Sequence, residues 1–195
     1  DGTSSADKLV EDSSASNTHY CVQTPSVSAA TLYTFSVFLK SSTRTKANIV
    51  LDGGSGNFAN TSVDLSSGTI TSGSASGSFT EYSSQITNVG NGWYRVSTTS
   101  RTAGSTTTLQ CQIRLVTSSD IYTGDGTSGI FMWGAQLEAN AASTSYIPTV
   151  ASTVLRAADS FSGTGLVYSN IAESSVNMLS RTEALADSTY WTLDS

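Results

Sequence analysis

The chain has 195 residues, with 9 Lys and Arg against 15 Asp and Glu and a formal net charge of −6. Only 12% of residues are charged, and Ser and Thr make up a third of the chain. No basic stripe exists to meet the phosphates of a nucleic acid, and no apolar run approaches the roughly 20 residues a membrane-spanning helix needs. The length suits one domain of ordinary size, or one domain with an appendage, and 37% hydrophobic and 9% aromatic residues are not the profile of a charge-swollen disordered chain. No charged-then-apolar signal segment opens the sequence.

Period-two alternation recurs along the chain. A weak strand is expected near 17–23. The segment 32–40 (LYTFSVFLK) then places Tyr33, Phe35, Val37 and Leu39 on one face, with Thr34, Ser36, Phe38 and Lys40 on the other. Weaker strands follow near 47–51, 62–65, 77–87 and 93–99. Segment 108–116 (TLQCQIRLV) sets Leu109, Cys111, Ile113 and Leu115 against Gln110, Gln112 and Arg114. Segment 129–138 (GIFMWGAQLE) alternates Phe131, Trp133, Ala135 and Leu137 against Ile130, Met132, Gly134 and Gln136. Phe131 and Trp133 are therefore expected in the core. Between the strands, DGGSGN at 52–57, GNG at 90–92 and GDGTSG at 124–129 are turn chemistry. Short strands without βαβ alternation predict an all-β fold, an antiparallel two-sheet sandwich. The one short helical reading is at 182–187. The texture changes near 158–162, which divides a domain at 1–159 from a tail at 160–195. In that tail Met178, Leu179, Leu185 and Trp191 restart an apolar pattern.

Catalytic chemistry is poorly served. His19 is the sole imidazole, the chain has no G-x-S-x-G elbow, and no spacing selects a carboxylate pair from Glu11, Asp12, Glu81, Asp120, Asp125 and Glu138. The expectation is a protein that works by contact and is not an enzyme. The loops at 52–57 and 120–127 offer hard oxygen ligands for calcium, although turn chemistry alone accounts for the same aspartates. For a sugar, Gln110, Gln112 and Arg114 supply planar polar groups, and Phe38, Trp93 and Arg95 lie beside them if the strands share an orientation. Tyr122 is a further loop aromatic. The alternative is a solvated or subunit-facing sheet surface. Cys111 shares the apolar face and is expected as a buried thiol; Cys21 has no assigned face, and a bridge between the two stays open.

Several strings carry a family likeness: DGTSSADKLVED (1–12), YTFSVFLKSS (33–42), NGWYRVS (91–97), GDGTSGIFMWGAQLEA (124–139) and TSYIPTVASTVLRAAD (144–159). Over about residues 1–159 the chain resembles a recurrent module of bacteriophage tail-fibre and other virion-surface proteins, similar to jelly-roll carbohydrate-binding modules. The resemblance implies a virion-surface, extracellular location and attachment to host glycans, or else a structural subunit of a fibre or capsid decoration. It implies no required cofactor, although a structural calcium near the chain ends would point to Glu11, Asp12 or Glu183. Members of the family usually begin with a strand like "NLL…SE.F….W". Here the tail, NMLSRTEALADSTYW (177–191), matches that string instead. The tail is thus expected to begin a next module or to supply a missing strand, to its own sandwich or to a neighbouring copy in a trimer or repeating assembly.

Overall fold

A computed structural model describes residues 6–149, 152–156, 175–179 and 192–194. Among these residues the chain forms thirteen strands. They are β1 (Asp7–Val10), β2 (His19–Gln23), β3 (Leu32–Lys40), β4 (Lys46–Asp52), β5 (Phe58–Asp64), β6 (Thr69–Ser76) and β7 (Thr80–Gly90), followed by β8 (Trp93–Arg101), β9 (Gln110–Val116), β10 (Gly129–Glu138), β11 (Val154–Arg156), β12 (Ser175–Asn177) and β13 (Thr192–Asp194). One sheet runs β1-β10-β3-β8-β7 and the other β13-β2-β9-β4-β5-β6, while β11 and β12 pair as a small ribbon. All pairings are antiparallel. The result is the two-sheet sandwich that the alternation predicts.

The core lies between the sheets and follows the alternation of each strand. Tyr33, Phe35, Val37 and Leu39 from β3 meet Leu109, Cys111, Ile113 and Leu115 from the β9 side, all buried. Ala47, Ile49 and Leu51 of β4 join them. Where the filling turns polar, hydroxyls pair across the gap: Thr98 Oγ1 donates to Thr61 Oγ1 at 2.6 Å, and Thr61 Oγ1 lies 3.1 Å from the Tyr82 hydroxyl. That pairing lets a Thr-rich chain bury oxygen without stranding it.

Strand β10 departs from the expected alternation. Trp133 pairs with Phe38 and Gln136 with Ser36, so Gly134 and Ala135 together oppose Val37. This is a β-bulge, and one extra residue reverses which side chains point inward. Ile130 and Met132 are buried before it, Ala135 and Leu137 after it. Phe131 and Trp133 consequently lie on the outer face and are half-buried, not in the core with Ala135 and Leu137. Gly134 carries the bulge at φ 61°, where an L side chain is strained.

The string WGAQLE…TSYIPT acquires a structural role here. Gln136 and Glu138 point outward from β10, yet both are buried, because residues 139–149 fold over that half of the five-stranded sheet. Gln136 Oε1 accepts from Ile147 N at 2.8 Å, and Glu138 accepts from Thr144 N at 2.9 Å and Thr144 Oγ1 at 2.6 Å. Thr34 Oγ1 donates to Asn140 O. Two side chains thereby satisfy an irregular segment that has no ladder of its own.

The tail returns to the same chain. Strand β1 pairs only with residues 129–132 of β10, and residues 177–179 lie beside the next stretch. Met178 N donates to Leu137 O at 2.8 Å, and Leu137 N donates to Asn177 Oδ1 at 3.2 Å. Leu179 is fully buried in the core, and Met178 packs against its edge. Strand β13 extends the six-stranded sheet through β2. Within the chain, residues 177–179 and β13 thus add to its own sandwich. Leu185, Trp191, Glu183 and the helical reading at 182–187 lie outside the described residues.

Candidate functional site

The residues expected on one sugar-binding face belong to two. Gln110, Gln112 and Arg114 lie on β9 of the six-stranded sheet, while Phe38, Trp93 and Arg95 lie on β3 and β8 of the five-stranded sheet. The two sets occupy opposite outer faces of the sandwich. The sequence cannot reveal this, because alternation assigns a residue to a face of its strand and never says which sheet the strand joins.

On the six-stranded sheet, register sets Tyr20, Arg114, Asn48 and Ser62 in one row and Val22, Gln112, Val50 and Asn60 in the next. Gln110 opposes Asp52, and Asp52 opposes Phe58, in a third. Gln112 Nε2 donates to Gln110 Oε1 at 2.6 Å, and Arg114 Nε donates to Gln112 Oε1 at 2.7 Å. Asn48 Nδ2 reaches Asp120 Oδ2 at 3.2 Å, and Arg114 Nη1 lies 3.5 Å from the same oxygen. Arg114 also sits over the Tyr20 ring, 5.7 Å from its centroid. Asn48 and Gln112 are buried although they point away from the core, and Asn48 Oδ1 has no donor among the described residues. Beside this chain of polar groups is a hollow of about 190 Å³ lined by Val50, Asp52, Phe58, Asn60, Arg114 and Asp120. Asn48 and Phe58 were not expected from the sequence, and Asp120 only as a carboxylate of the 120–127 loop; the register of β4 and β5 beside β9 brings Asn48 and Phe58 in.

On the five-stranded sheet, Phe38 lies 5.0 Å from Trp133 between ring centroids, and Trp133 lies 4.5 Å from Tyr146. The Arg95 guanidinium stands 5.2 Å from the Phe38 centroid, donating to Thr144 O at 2.6 Å and to Ser36 Oγ at 3.0 Å. Burial works against its charge, and the nearby Glu138 carboxylate offsets part of that effect. Arg95 is thus an internal brace for the covering segment, not a group presented to a ligand.

Tyr122 and the expected calcium ligands form a third cluster at the loop end. Glu11 is 2% exposed. Its Oε2 accepts from Arg44 Nε at 2.9 Å and from the Tyr122 hydroxyl at 2.7 Å; its Oε1 accepts from Arg44 Nη2 at 2.5 Å and from Asp125 N at 2.9 Å. Four hydrogen bonds, two of them from the Arg44 guanidinium, fill the carboxylate. Asp12 Oδ1 accepts from Ser14 N and Ser14 Oγ and lies 3.0 Å from His19 Nδ1. Asp125 caps its own turn through Thr127 and Ser128, which hold its carboxyl well below the usual range. Among the described residues no group of three or more His, Cys, Asp or Glu side chains is placed to hold a metal.

His19 is buried at the start of β2, with Nε2 3.3 Å from Tyr122 O and its ring 4.6 Å from the Tyr122 ring. Its placement joins β2 to the 120s loop. The two cysteines are free buried thiols on neighbouring strands. In register Cys21 opposes Ile113 and Cys111 opposes Gln23, so they are offset by two residues. Cys21 Sγ contacts Met132 Sδ at 3.7 Å.

No protein-family model matches the chain, and no curated protein matches it.

Proposed function

We propose that this chain is a glycan-binding module of a virion surface, of the tail-fibre kind, and that it attaches through the outer face of its six-stranded sheet. The observation that carries this reading is the bonded series Gln110–Gln112–Arg114–Asp120–Asn48 beside the Phe58-lined hollow. Amide and guanidinium planes that already hold one another lose little freedom when a ligand docks, so hydroxyl recognition keeps most of its enthalpy. Phe58 supplies an apolar wall for the C–H face of a sugar ring. Arg114 is balanced by Asp120 and the chain is acidic overall, which favours neutral over anionic glycans. The virion setting rests on the likeness of the strings at 1–12, 33–42, 91–97, 124–139 and 144–159. A glycan array tests the reading: saturable binding should weaken at least about tenfold in Arg114→Ala and Gln112→Ala while near-ultraviolet circular dichroism is unchanged. Absence of binding to any neutral glycan refutes it.

A structural virion subunit is the second reading, favoured by a tail whose strand β13 joins the six-stranded sheet and whose Met178 bonds to β10 of the other. Exchange of those strands between copies would build a trimer or a repeating assembly without any sugar. Light scattering after size exclusion separates the readings, because assembly requires an oligomer that truncation after Asp159 dissolves.

A further inference from the structure

We propose that the part of the five-stranded sheet's outer face that the described residues leave open is a second, separate ligand site, built to stack one pyranose ring. Residues 139–149 cover the other part of that face, with Tyr146 against Trp133. Beyond this border the register sets Trp133 beside Phe38, and Phe131, Lys40 and Trp93 in the following row. A cleft of about 380 Å³ opens there, lined by Phe38, Trp93 and Trp133, with Ala6, Val89 and Asn91 at its sides. That volume falls in the range of small-molecule sites and suits one or two sugar rings.

The aromatic content of this cleft has no source in core packing. Two of the three tryptophans of the chain stand on an outer face of a protein one third of whose residues are Ser and Thr. The Gly134 bulge keeps Trp133 outside while Leu137 returns to the core. Indole and phenyl faces match the apolar C–H face of a pyranose, and Asn91 presents an amide from the β7–β8 turn, held at φ 53° between Gly90 and Gly92. Trp133 Nε1 is a buried donor with no acceptor among the described residues, a polar group that the fold itself leaves unpaired.

A protein partner fits less well. Among the described residues the exposed large hydrophobics are Val10, Val89, Ile121 and Val176, on four different elements, and only Val89 borders the cleft. A stable protein contact takes about 800 Å² per partner, which scattered valines and an isoleucine do not supply. The site is independent of the Arg114 face and lies on the other sheet, so occupancy of both would make the module bivalent and raise its avidity for a glycan-coated surface.

The test uses the full chain labelled with 5-fluorotryptophan, its fluorine resonances assigned by Trp93→Phe and Trp133→Phe. Methyl β-glycosides of glucose, galactose, mannose and N-acetylglucosamine are titrated in turn. The expected result is a saturable shift at Trp93 and Trp133 with at least one glycoside, weaker by about tenfold in Trp93→Ala and unchanged in Arg114→Ala. Asn91→Ala, at an exposed turn, should weaken the same titration severalfold and serves if Trp93→Ala fails to fold. No saturable shift with any of the four glycosides overturns the proposal. So do shifts that track protein concentration without sugar, which would place a second copy in the cleft. Shifts that persist while Arg114→Ala and Gln112→Ala leave array binding untouched would refute the six-stranded face alone.

Discussion

The Arg44 guanidinium grips the Glu11 carboxylate through two parallel bonds, Nε to Oε2 at 2.9 Å and Nη2 to Oε1 at 2.5 Å. The pair ties the segment after β1 to the β3–β4 connection, and Tyr122 and Asp125 add the β9–β10 loop. Burial pushes the Glu11 carboxyl up. The bonds from Arg44, Tyr122 and Asp125 N and the charge of Arg44 outweigh it, so the net shift is downward from 4.5. A carboxylate with a depressed folded pKa contributes stability that is fully present above its unfolded value and lost as pH falls through its folded one. The melting temperature should therefore hold steady above about pH 5 and fall progressively below 4.5. In Glu11→Gln the neutral-pH stability should drop by about 2–3 kcal/mol, because Arg44, a quarter exposed, loses its bidentate partner and keeps only Asp125 at 3.6 Å. Thermal melts of both proteins from pH 3 to 7 check this, and a Glu11→Gln curve parallel to the wild type would contradict it.

Asn177 holds the tail. Its Oδ1 accepts from Leu137 N and Leu179 N, and its Nδ2 donates to Ile147 O at 2.9 Å and Ala135 O at 3.4 Å. Asn177→Ala strands several buried backbone groups and should cost about 2–4 kcal/mol. Leu179→Ala, which empties a fully buried site, should cost about 2–3 kcal/mol. Both variants should also expose the tail to protease at concentrations that leave the wild type intact. Unchanged cleavage and melting would mean that the tail contributes nothing in cis.

Gly134 sets the β10 bulge. An added Cβ would lie 3.0 Å from Phe38 Cδ2 and 3.2 Å from Tyr146 Cε2, at φ 61°. Gly134→Ala should destabilise by about 1–3 kcal/mol and disturb the near-ultraviolet signal of the Phe38–Trp133–Tyr146 cluster. A variant with native melting and an unaltered aromatic signal would show that the bulge tolerates a side chain.

The thiols should be inert. Burial pushes the Cys21 thiol up to about 12 and moves Cys111 the same way. A thiol reagent should label neither cysteine in the native protein at pH 8 and both after denaturation, with no change on prior reduction. Labelling of one native thiol at the rate of free cysteine would place it outside the core.

What was legible in the sequence was what alternation and turn chemistry encode locally. The β3 and β9 segments show an apolar stripe opposite a polar one, and the structure keeps both faces as read. The GNG turn at 90–92 has all three residues at positive φ, as Asn and Gly permit. Strand β6 (TITSGSAS) went unread. Apart from Ile70 and Ala75 its residues are hydroxyls and glycine with no period-two apolar stripe, and it is a strand because β5 offers it a ladder. Strand β1 and the short tail strands are likewise defined by partners far away in the chain.

By itself, then, the amino-acid order determined the class of fold, the inward stripes and the reversals, because these depend on side-chain periodicity and on residues a few places apart. Tertiary structure alone decided which sheet each strand joins, and so parted Trp93 and Phe38 from Gln112 and Arg114. It decided the bulge that turns Trp133 outward, the bonds that give Glu11 to Arg44, and the return of Asn177 to β10. Each of these depends on groups distant in sequence meeting under one register, and local pattern carries no record of that register.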